Sequence, residues 1–164
     1  MTSEQFLNSF DDNCHKILNE EVYYLEDVKD NETNFVEQDD YWNLCIENKN
    51  SKKIILLENE FCVMKNENSK KCDWALFEAD NLFFIESKDV KPRNRSKERK
   101  DATKQLISTI EFYGSKIDLT TLNLHALICF KSKAKIIKSG DQARKALFKE
   151  TYNADYFEAN LIEL

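Results

Sequence analysis

The chain has little glycine, proline or histidine, and these shortages limit what it can be. Its 164 residues include only two Gly, one Pro and two His. Without a Gly- or Pro-rich linker, we expect one domain over 1–164 with a single sizeable core. The histidines are His15 and His125, and His125 lies inside an apolar run where a hydrogen-bonded core role is expected. Most hydrolase mechanisms that depend on histidine are therefore excluded.

The chain also lacks the usual marks of secreted and membrane proteins. Its five cysteines are odd in number and show no C-x-x-C spacing, which favours neither a zinc site nor a full set of disulfides. No apolar run approaches a membrane span, and residues 1–5 lack the basic and apolar regions of a signal peptide. These absences predict a protein of the reducing cytoplasm with no membrane partner.

Charge is distributed unevenly along the chain. The first 48 residues hold thirteen Asp or Glu against two Lys, a net charge of −11 (13 minus 2). The whole chain carries −6, so the remaining residues carry +5 (−6 plus 11). An acidic surface repels nucleic acid, so such a ligand must approach the other side of the molecule. The acidic segment could instead bind a protein.

Residues 72–88 form the most informative stretch. Two runs rich in Phe, Leu, Ile and Trp flank the turn-forming pair Asp80-Asn81, which predicts a β-hairpin. If Asp80-Asn81 is a two-residue turn, Phe77 pairs with Phe84 across the hairpin.

The register of this hairpin decides which polar side chains meet. A two-residue turn pairs Ala75 with Glu86 and Asp73 with Lys88, so Asp73, Glu86 and Lys88 share one face. A three-residue turn would instead pair Asp73 with Ser87 and separate the two carboxylates.

The cluster of Asp73, Glu86 and Lys88 indicates chemistry, because burying such groups in an apolar hairpin costs energy that folding alone does not require. Carboxylate oxygens are ligands for Mg²⁺ or Mn²⁺, which keep several waters and engage substrate phosphates. A lysine beside them can orient a water molecule or neutralise charge that develops on phosphorus.

Asp73, followed after twelve residues by Glu86-Ser87-Lys88 at the end of an apolar strand, resembles the motif of the PD-(D/E)XK nuclease superfamily. The resemblance covers residues 54 to 130 and implies a hairpin bearing D and E-x-K, a helix that often carries Gln, and a further strand.

Gln105 and the apolar run 124–130 stand at the corresponding places of the resembled pattern. The chain departs from it at Cys72, where the motif name has Pro, and at Ser87, where an apolar residue is common. The resemblance implies an α/β fold with a mixed central sheet of about four or five strands flanked by helices.

The resemblance also implies roles for individual residues. Asp73 and Glu86, together with the Ser87 carbonyl, would hold Mg²⁺ or Mn²⁺. Lys88 would position the attacking water, and Gln105 would support Lys88 or that water. The implied activity is metal-dependent hydrolysis of phosphodiester bonds, with DNA as the expected substrate.

In the resembled family a Glu from the first helix often joins the metal site. Residues 4–21 carry apolar side chains at helical spacing, and this predicted amphipathic helix reaches Glu21. Glu37 lies on a second predicted helical face, while Glu58 and Glu60 follow an apolar run. The sequence does not choose among these candidates.

Beyond the hairpin the chain becomes basic. Lys91, Arg93, Arg95 and Lys97 fall in a segment that we expect to be a flexible loop. Neutralising phosphates with such side chains releases counterions and gives affinity that does not depend on base sequence. We therefore predict that these four residues contact nucleic acid.

A helix is predicted to follow, with Ser96 as its N-cap and Gly114 just past its end. Gln105 lies at the border of its buried stripe. A second basic helix, with Ser139 and Gln142 forming a capping box, and a terminal strand are expected within 131–164.

The chain thus divides into an acidic N-terminal helical segment (1–48), a nuclease-like core (52–130) and a basic C-terminal segment (131–164). Two other functions stay open: a nucleic-acid-binding module that has lost catalysis, and an acidic interaction protein such as an inhibitor or immunity partner. The small size of the chain favours a homodimer or a partner protein.

Overall fold

The structure is a computed structural model that describes residues 1–28, 33–138 and 140–164. Its helices are α1 (Ser3–Leu7), α2 (Arg95–Gly114) and α3 (Gln142–Tyr152). Its strands are β1 (His15–Leu18), β2 (Val22–Glu26), β3 (Asn34–Phe35), β4 (Leu44–Glu47), β5 (Ile54–Glu58), β6 (Trp74–Glu78), β7 (Asn81–Lys88), β8 (Asn123–Phe130), β9 (Ile137–Lys138), β10 (Ala154–Ala159) and β11 (Leu161–Glu163).

The described strands form two sheets. The larger has seven strands in the order β1-β5-β6-β7-β8-β10-β9, and the smaller has four in the order β11-β4-β2-β3. Strands β7, β8 and β10 run parallel, whereas β1, β5, β6 and β7 form antiparallel pairs with their neighbours. The fold is mixed α/β with flanking helices. The expected four or five strands were too few, because β1 and β9 lie outside the segments that the sequence assigned to the sheet.

Both faces of the large sheet are covered. On one face, Leu106 and Ile110 of α2 join a buried cluster with Phe77 and Phe84. On the other, Leu44 of the small sheet belongs to a second cluster that includes strand residues such as Leu76 and Ile85. A strand buried on both faces lacks polar alternation, which explains the continuous apolar runs in this region of the sequence.

The prediction of a helix over residues 4–21 is wrong. Helix α1 ends at Leu7, and β1 pairs antiparallel with β5, with His15 opposite Leu57. Phe6 is fully buried and stacks on Phe77, with ring centroids 4.3 Å apart. Edge pairing and this aromatic contact, both made with distant regions of the chain, override the local helical pattern.

The helix expected around Glu37 is also absent from the described residues. Leu44 and Cys45 belong to β4, which pairs with β2 so that Tyr24 lies opposite Cys45. Within the described residues, the acidic N-terminal segment is therefore built mainly of strands.

One disulfide links the N-terminal segment to the core. Cys14 is bonded to Cys62, 48 residues later, and Cys45, Cys72 and Cys129 are buried thiols. The spacing of the cysteines gave no indication of this pairing, because the two partners meet only after β1 has paired with β5.

The later elements agree more closely with the sequence. The buried stripe of α2 is confirmed, with Leu106 and Tyr113 among its fully buried members. Its N-cap is Asn94 instead of Ser96, and the helix still includes Gly114. Helix α3 begins after Asp141, whose side chain accepts a hydrogen bond from the Arg144 backbone N–H. The proposed cap Ser139 lies outside the described residues.

None of the helices in the described ranges has the length and apolar character needed to cross a bilayer.

Candidate active site

The β6–β7 hairpin turns at Ala79-Asp80, which shifts its register by two residues from the expected one. Ala79 adopts φ 51°, and Phe77 pairs with Leu82 instead of Phe84. The Ala75–Glu86 and Asp73–Lys88 pairs expected from an Asp80-Asn81 turn are thus wrong. A shift of two residues keeps every side chain on its predicted face, because the strand period is two.

Asp73 lies just before β6, at the point where β6 and β7 stop pairing. The last pair of the ladder is Trp74 with Ile85. One oxygen of Asp73, Oδ2, accepts hydrogen bonds from Ser87 N (2.6 Å) and Ser87 Oγ (2.7 Å). These bonds fix the half-buried carboxylate beside the residue that precedes Ser87, which is Glu86.

Glu86 is the most deeply buried charged group of this cluster. It is only 2% exposed, and its Oε1 lies 2.6 Å from Lys88 Nζ. Its other oxygen, Oε2, is buried and has no hydrogen-bond partner among the described residues. Leaving a buried carboxyl oxygen without a partner is costly, and a bound water molecule or cation would satisfy it.

Gln105 of α2 orients the lysine. Lys88 Nζ donates to Gln105 Oε1 at 2.9 Å, and Gln105 Nε2 donates to the Lys71 carbonyl at 3.0 Å. With its amide held at both ends, Gln105 can present only its oxygen to Lys88. The border position of Gln105 on α2 was compatible with this contact and also with a solvated side chain, and the support of Lys88 was an implication of the resemblance alone.

Asp27 was missed by the sequence reasoning. It follows β2, its backbone N–H donates to Asn43 Oδ1 at 3.0 Å, and it lines a small cavity together with Asp73 and Glu58. Its position directly after an extended segment was the only signal available. Nothing in the sequence placed the end of β2 next to the start of β6.

The carboxyl groups of this cluster resist ionisation. Burial, followed by the charge of Asp27, raises the pKa of Asp73 to about 7. Burial and then the charge of Asp73 raise the pKa of Glu86 well above its usual value, and burial also raises that of Asp27. A cation bound among them would relieve this repulsion.

Lys88 behaves in the opposite way. Burial lowers its pKa, but the nearby Glu86 and Asp73 carboxylates outweigh burial, and the pKa of Lys88 is raised. The side chain is therefore an ammonium group that donates hydrogen bonds.

The four glutamates considered as additional ligands differ in position. Glu21 is exposed at the start of β2, roughly 20 Å of strand from Asp27 at about 3.3 Å per residue. Glu37 is exposed, and its backbone N–H donates to Asp40. Glu58 and Glu60 border the cluster, through the cavity that they share with Asp73.

Glu58 already has partners of its own. Its Oε1 lies 3.1 Å from Lys16 Nζ and accepts a hydrogen bond from Thr33 N at 2.9 Å. Glu60, two residues later, is exposed but lines the same cavity.

The basic segment after β7 is partly helical, whereas the sequence predicted a loop as far as Ser96. Pro92 opens a 3₁₀ turn, for which its fixed φ is suited, and α2 begins at Arg95. Lys91, Arg93 and Lys97 are exposed. Arg95 is half-buried, with its guanidinium 4.5 Å from the centroid of the Phe130 ring.

The carboxylates of the cluster suit a divalent cation that keeps most of its water. Among the described residues, no three His, Cys, Asp or Glu side chains are grouped as a ready metal site. Mg²⁺ needs only one or two protein carboxylates and completes its shell with water. The unpartnered Glu86 Oε2 and the neighbouring Asp73 therefore fit a hydrated Mg²⁺ or Mn²⁺, and do not fit an ion held entirely by protein.

Comparison of the chain with protein-family models, with curated proteins and with solved structures finds no match.

Proposed function

We propose that the chain is a metal-dependent nuclease that hydrolyses phosphodiester bonds, with DNA as its substrate, Mg²⁺ or Mn²⁺ as its cofactor and a restriction-endonuclease-like fold. The observation that carries the proposal is the buried Glu86 carboxylate with one oxygen lacking a donor, set between Asp73 and the ion-paired Lys88. An isolated structural ion pair would have no use for that second oxygen.

The residues of the site would have the following roles. Asp73 and Glu86, with the Ser87 carbonyl, would hold the metal, which supplies Lewis acidity and neutralises charge on the substrate phosphate. Asp27 borders the same cluster and would add negative charge that favours the cation. Lys88 would hold the attacking water and stabilise the developing charge by donating hydrogen bonds.

Gln105 completes this arrangement by fixing the direction of the Lys88 ammonium. Because the pKa of Lys88 is raised, its amine does not take the proton of the water. That proton would leave to solvent or to the substrate phosphate, and lysine acts as a donor throughout.

The second candidate is a nucleic-acid-binding module that has lost catalysis. It is favoured by the absence of a three-ligand metal group among the described residues. The third candidate, an acidic interaction protein, is less favoured because some carboxylates of the N-terminal segment already form ion pairs with lysines of the same chain. Glu26 pairs with Lys131 at 2.7 Å, and Glu47 pairs with Lys135.

Cytoplasmic localisation and assembly as a homodimer or with a partner protein stay predictions. Disulfides such as Cys14–Cys62 are rare in reducing compartments. An isolated protein that carries this disulfide would therefore argue against the cytoplasmic prediction.

Plasmid nicking tests the nuclease proposal. Wild type should nick supercoiled DNA only when Mg²⁺ or Mn²⁺ is present, and Asp73→Asn and Lys88→Met should lower the rate by about 10²-fold or more. Asp118→Asn and Lys53→Met are matched controls on exposed residues and should leave the rate unchanged.

Thermal melts of the same proteins separate metal binding from catalysis. Mg²⁺ should raise the Tm of wild type and of Lys88→Met, because lysine is not a ligand, but not that of Asp73→Asn. DNA binding that depends on salt, without any cleavage, would favour the inactive module. A wild type with neither nicking nor a Mg²⁺-induced shift would contradict the proposal.

A further inference from the structure

The candidate active site lies at one end of a longer edge of the large sheet. Strands β7, β8 and β10 are parallel, so their carboxyl ends, at Lys88, Phe130 and Ala159, meet at the same edge. Ligands of parallel sheets bind outside this edge. Lys88 lies opposite Phe130, and β10 lies one strand further on.

Two adjoining cavities open beyond the β8 and β10 ends of this edge, and both are lined by Lys138 and Glu158. We call them together the α2–α3 groove, because the first turns of α2 and α3 form its walls. Its charged and turn residues are Arg95, Arg99, Lys138, Gly140, Asp141, Arg144 and Glu158.

The groove carries more positive than negative charge. It contains four cations and two carboxylates, a net charge of +2 (4 minus 2). Arg99 is held by Glu158 through two hydrogen bonds of 2.7 Å. Arg95 and Lys138, in contrast, have no carboxylate partner in the described regions of the chain. These two cations are available to an incoming anion.

Tyr156 adds a donor that the fold does not use. It is 2% exposed, and its hydroxyl is buried without a hydrogen-bond partner among the described residues. Its ring stacks on Phe148 and lies so close to Gly140 that a Cβ there would be 2.4 Å from the ring. Because Gly140 lines the groove, this close approach places the Tyr156 ring directly behind the groove wall.

The first turns of α2 and α3 also line the groove, through Arg95 and Arg99 of α2 and Arg144 of α3. α2 begins at Arg95 and α3 at Gln142, and both helices exceed ten residues. The N-terminal ends carry partial positive charge and backbone N–H groups that suit an anion. Basic side chains here would destabilise a helix that had only to fold, because they oppose its dipole.

The opposite side of the active-site edge has the reverse charge. A wide cavity there is lined by Glu26, Asp40 and Asp89, and its single lysine, Lys131, is paired with Glu26. A polyanion that reaches Lys88 is therefore repelled on this side and attracted on the other.

We propose that the α2–α3 groove binds a phosphate group of a nucleic-acid strand, at a position about three nucleotides from the phosphodiester that faces Lys88. The identity of the ligand rests on the proposed nuclease function. Two strand spacings of about 4.8 Å separate β7 from β10, roughly 10 Å. Each nucleotide advances a duplex strand by about 3.4 Å along its axis, which gives the stated offset.

Binding of single-stranded oligonucleotides to the full chain in EDTA tests this inference. The probes are fluorescein-labelled eight-nucleotide strands with and without a 5′-phosphate, measured by anisotropy over a series of salt concentrations. The test variant is Arg95→Met with Lys138→Met, since methionine keeps the packing of Arg95 on Phe130 and loses the charge. The matched control is Lys53→Met with Lys116→Met, two exposed lysines away from the groove.

The test variant should reduce the slope of log affinity against log salt by about 0.7, which corresponds to the loss of one single-strand phosphate contact. The control pair should leave the slope unchanged. Tyr156→Phe should weaken binding without changing the slope, because it removes a donor but no charge. If the groove binds an internal phosphate, the test variant should lose the same affinity for both probes. If the groove binds a terminal phosphate, the variant should lose affinity only for the 5′-phosphorylated strand.

These outcomes are independent of cleavage. An unchanged slope in the test variant would contradict phosphate binding in the α2–α3 groove, even if wild type cuts DNA. A wild type that binds neither probe would also contradict it. If the slope falls as expected while wild type fails to cleave with Mg²⁺, the groove stands and the nuclease proposal fails.

Discussion

Replacing Asp73 by Asn should stabilise the protein at neutral and alkaline pH, which is unusual for the loss of a half-buried, hydrogen-bonded carboxylate. Asp73 accepts two hydrogen bonds from Ser87, yet burial and the charge of Asp27 raise its pKa to about 7. Ionising it in the folded protein is thus costly. Asn keeps an oxygen that can accept from Ser87 and carries no charge.

The magnitude follows from the difference between the folded and unfolded pKa values. The pKa of Asp73 is raised to about 7 from 3.8. At 1.36 kcal/mol per pKa unit this difference corresponds to about 4 kcal/mol. This figure is an upper bound, because protonation of Asp27 relieves some of the same repulsion. We expect Asp73→Asn to gain about 2 to 4 kcal/mol at pH 8.

The sign depends on pH. Between pH 4 and 7 the folded protein holds a proton on Asp73 that the unfolded chain releases, so stability falls as pH rises through this window. Above pH 7 the full cost is present, and below pH 4 it is absent. Wild type and Asp73→Asn should therefore have similar stability near pH 4 and diverge up to pH 7.

Urea unfolding in EDTA at pH 4, 6 and 8 measures this difference. Asp118→Asn is the matched control, because hydrogen bonds from Thr120 lower the pKa of Asp118, and its removal should not stabilise the protein at any pH. Adding Mg²⁺ at pH 8 should narrow the gap by stabilising wild type alone. An Asp73→Asn variant less stable than wild type at pH 8 in EDTA would refute the electrostatic reasoning.

Two further predictions concern the basic segment and the disulfide. Changing Lys91, Arg93 and Lys97 to Ala should weaken duplex binding equally for unrelated sequences and flatten the log affinity against log salt slope by up to about 2.7, at 0.9 per contact; an unchanged slope would mean that these side chains are merely solvated. Reduction of Cys14–Cys62, which closes a loop of 48 residues, should lower the free energy of unfolding by about 4 kcal/mol in urea titrations. A Cys14→Ser, Cys62→Ser variant should show the same loss and no response to reductant, and a wild type equally stable with reductant would contradict the structural role of the bond.

The shared face of the polar side chains of the hairpin could be predicted from the sequence because it depends on short-range order. Because side chains alternate along a strand, Asp73, Glu86 and Lys88 share one face in the expected register. They also share it in the observed register, which differs from the expected one by two residues. Gln105 could be placed for a similar reason, since the helical period of α2 fixed which of its side chains border the sheet. The turn itself was misjudged, because Asp80-Asn81 is the stronger turn signal in sequence while Ala79 adopts the positive φ.

The N-terminal segment could not be read in this way. Residues 4–21 satisfy a helical pattern. In the structure, however, β1 forms backbone hydrogen bonds with β5, and Phe6 packs against Phe77. A continuous helix over residues 4–21 could not make both of these contacts. Glu21 and Glu37 were inferred from helices that do not form. Asp27 was passed over because its partners are 46 and 59 residues away, counting from 27 to Asp73 and to Glu86.

The sequence by itself determined that Asp73, Glu86 and Lys88 share one face of the hairpin and that Gln105 borders the buried stripe of α2, since these placements depend on spacing within single elements. Only the tertiary structure decided that Asp27 lies beside the candidate site, and that Arg95 and Lys138 line one cavity at the carboxyl edge of β8 and β10. These positions arise when strands far apart in the chain pair and when two helices dock over one sheet. Such pairings depend on the difference in free energy between alternative folds of the whole chain. A short segment of sequence does not contain the residues that decide this difference.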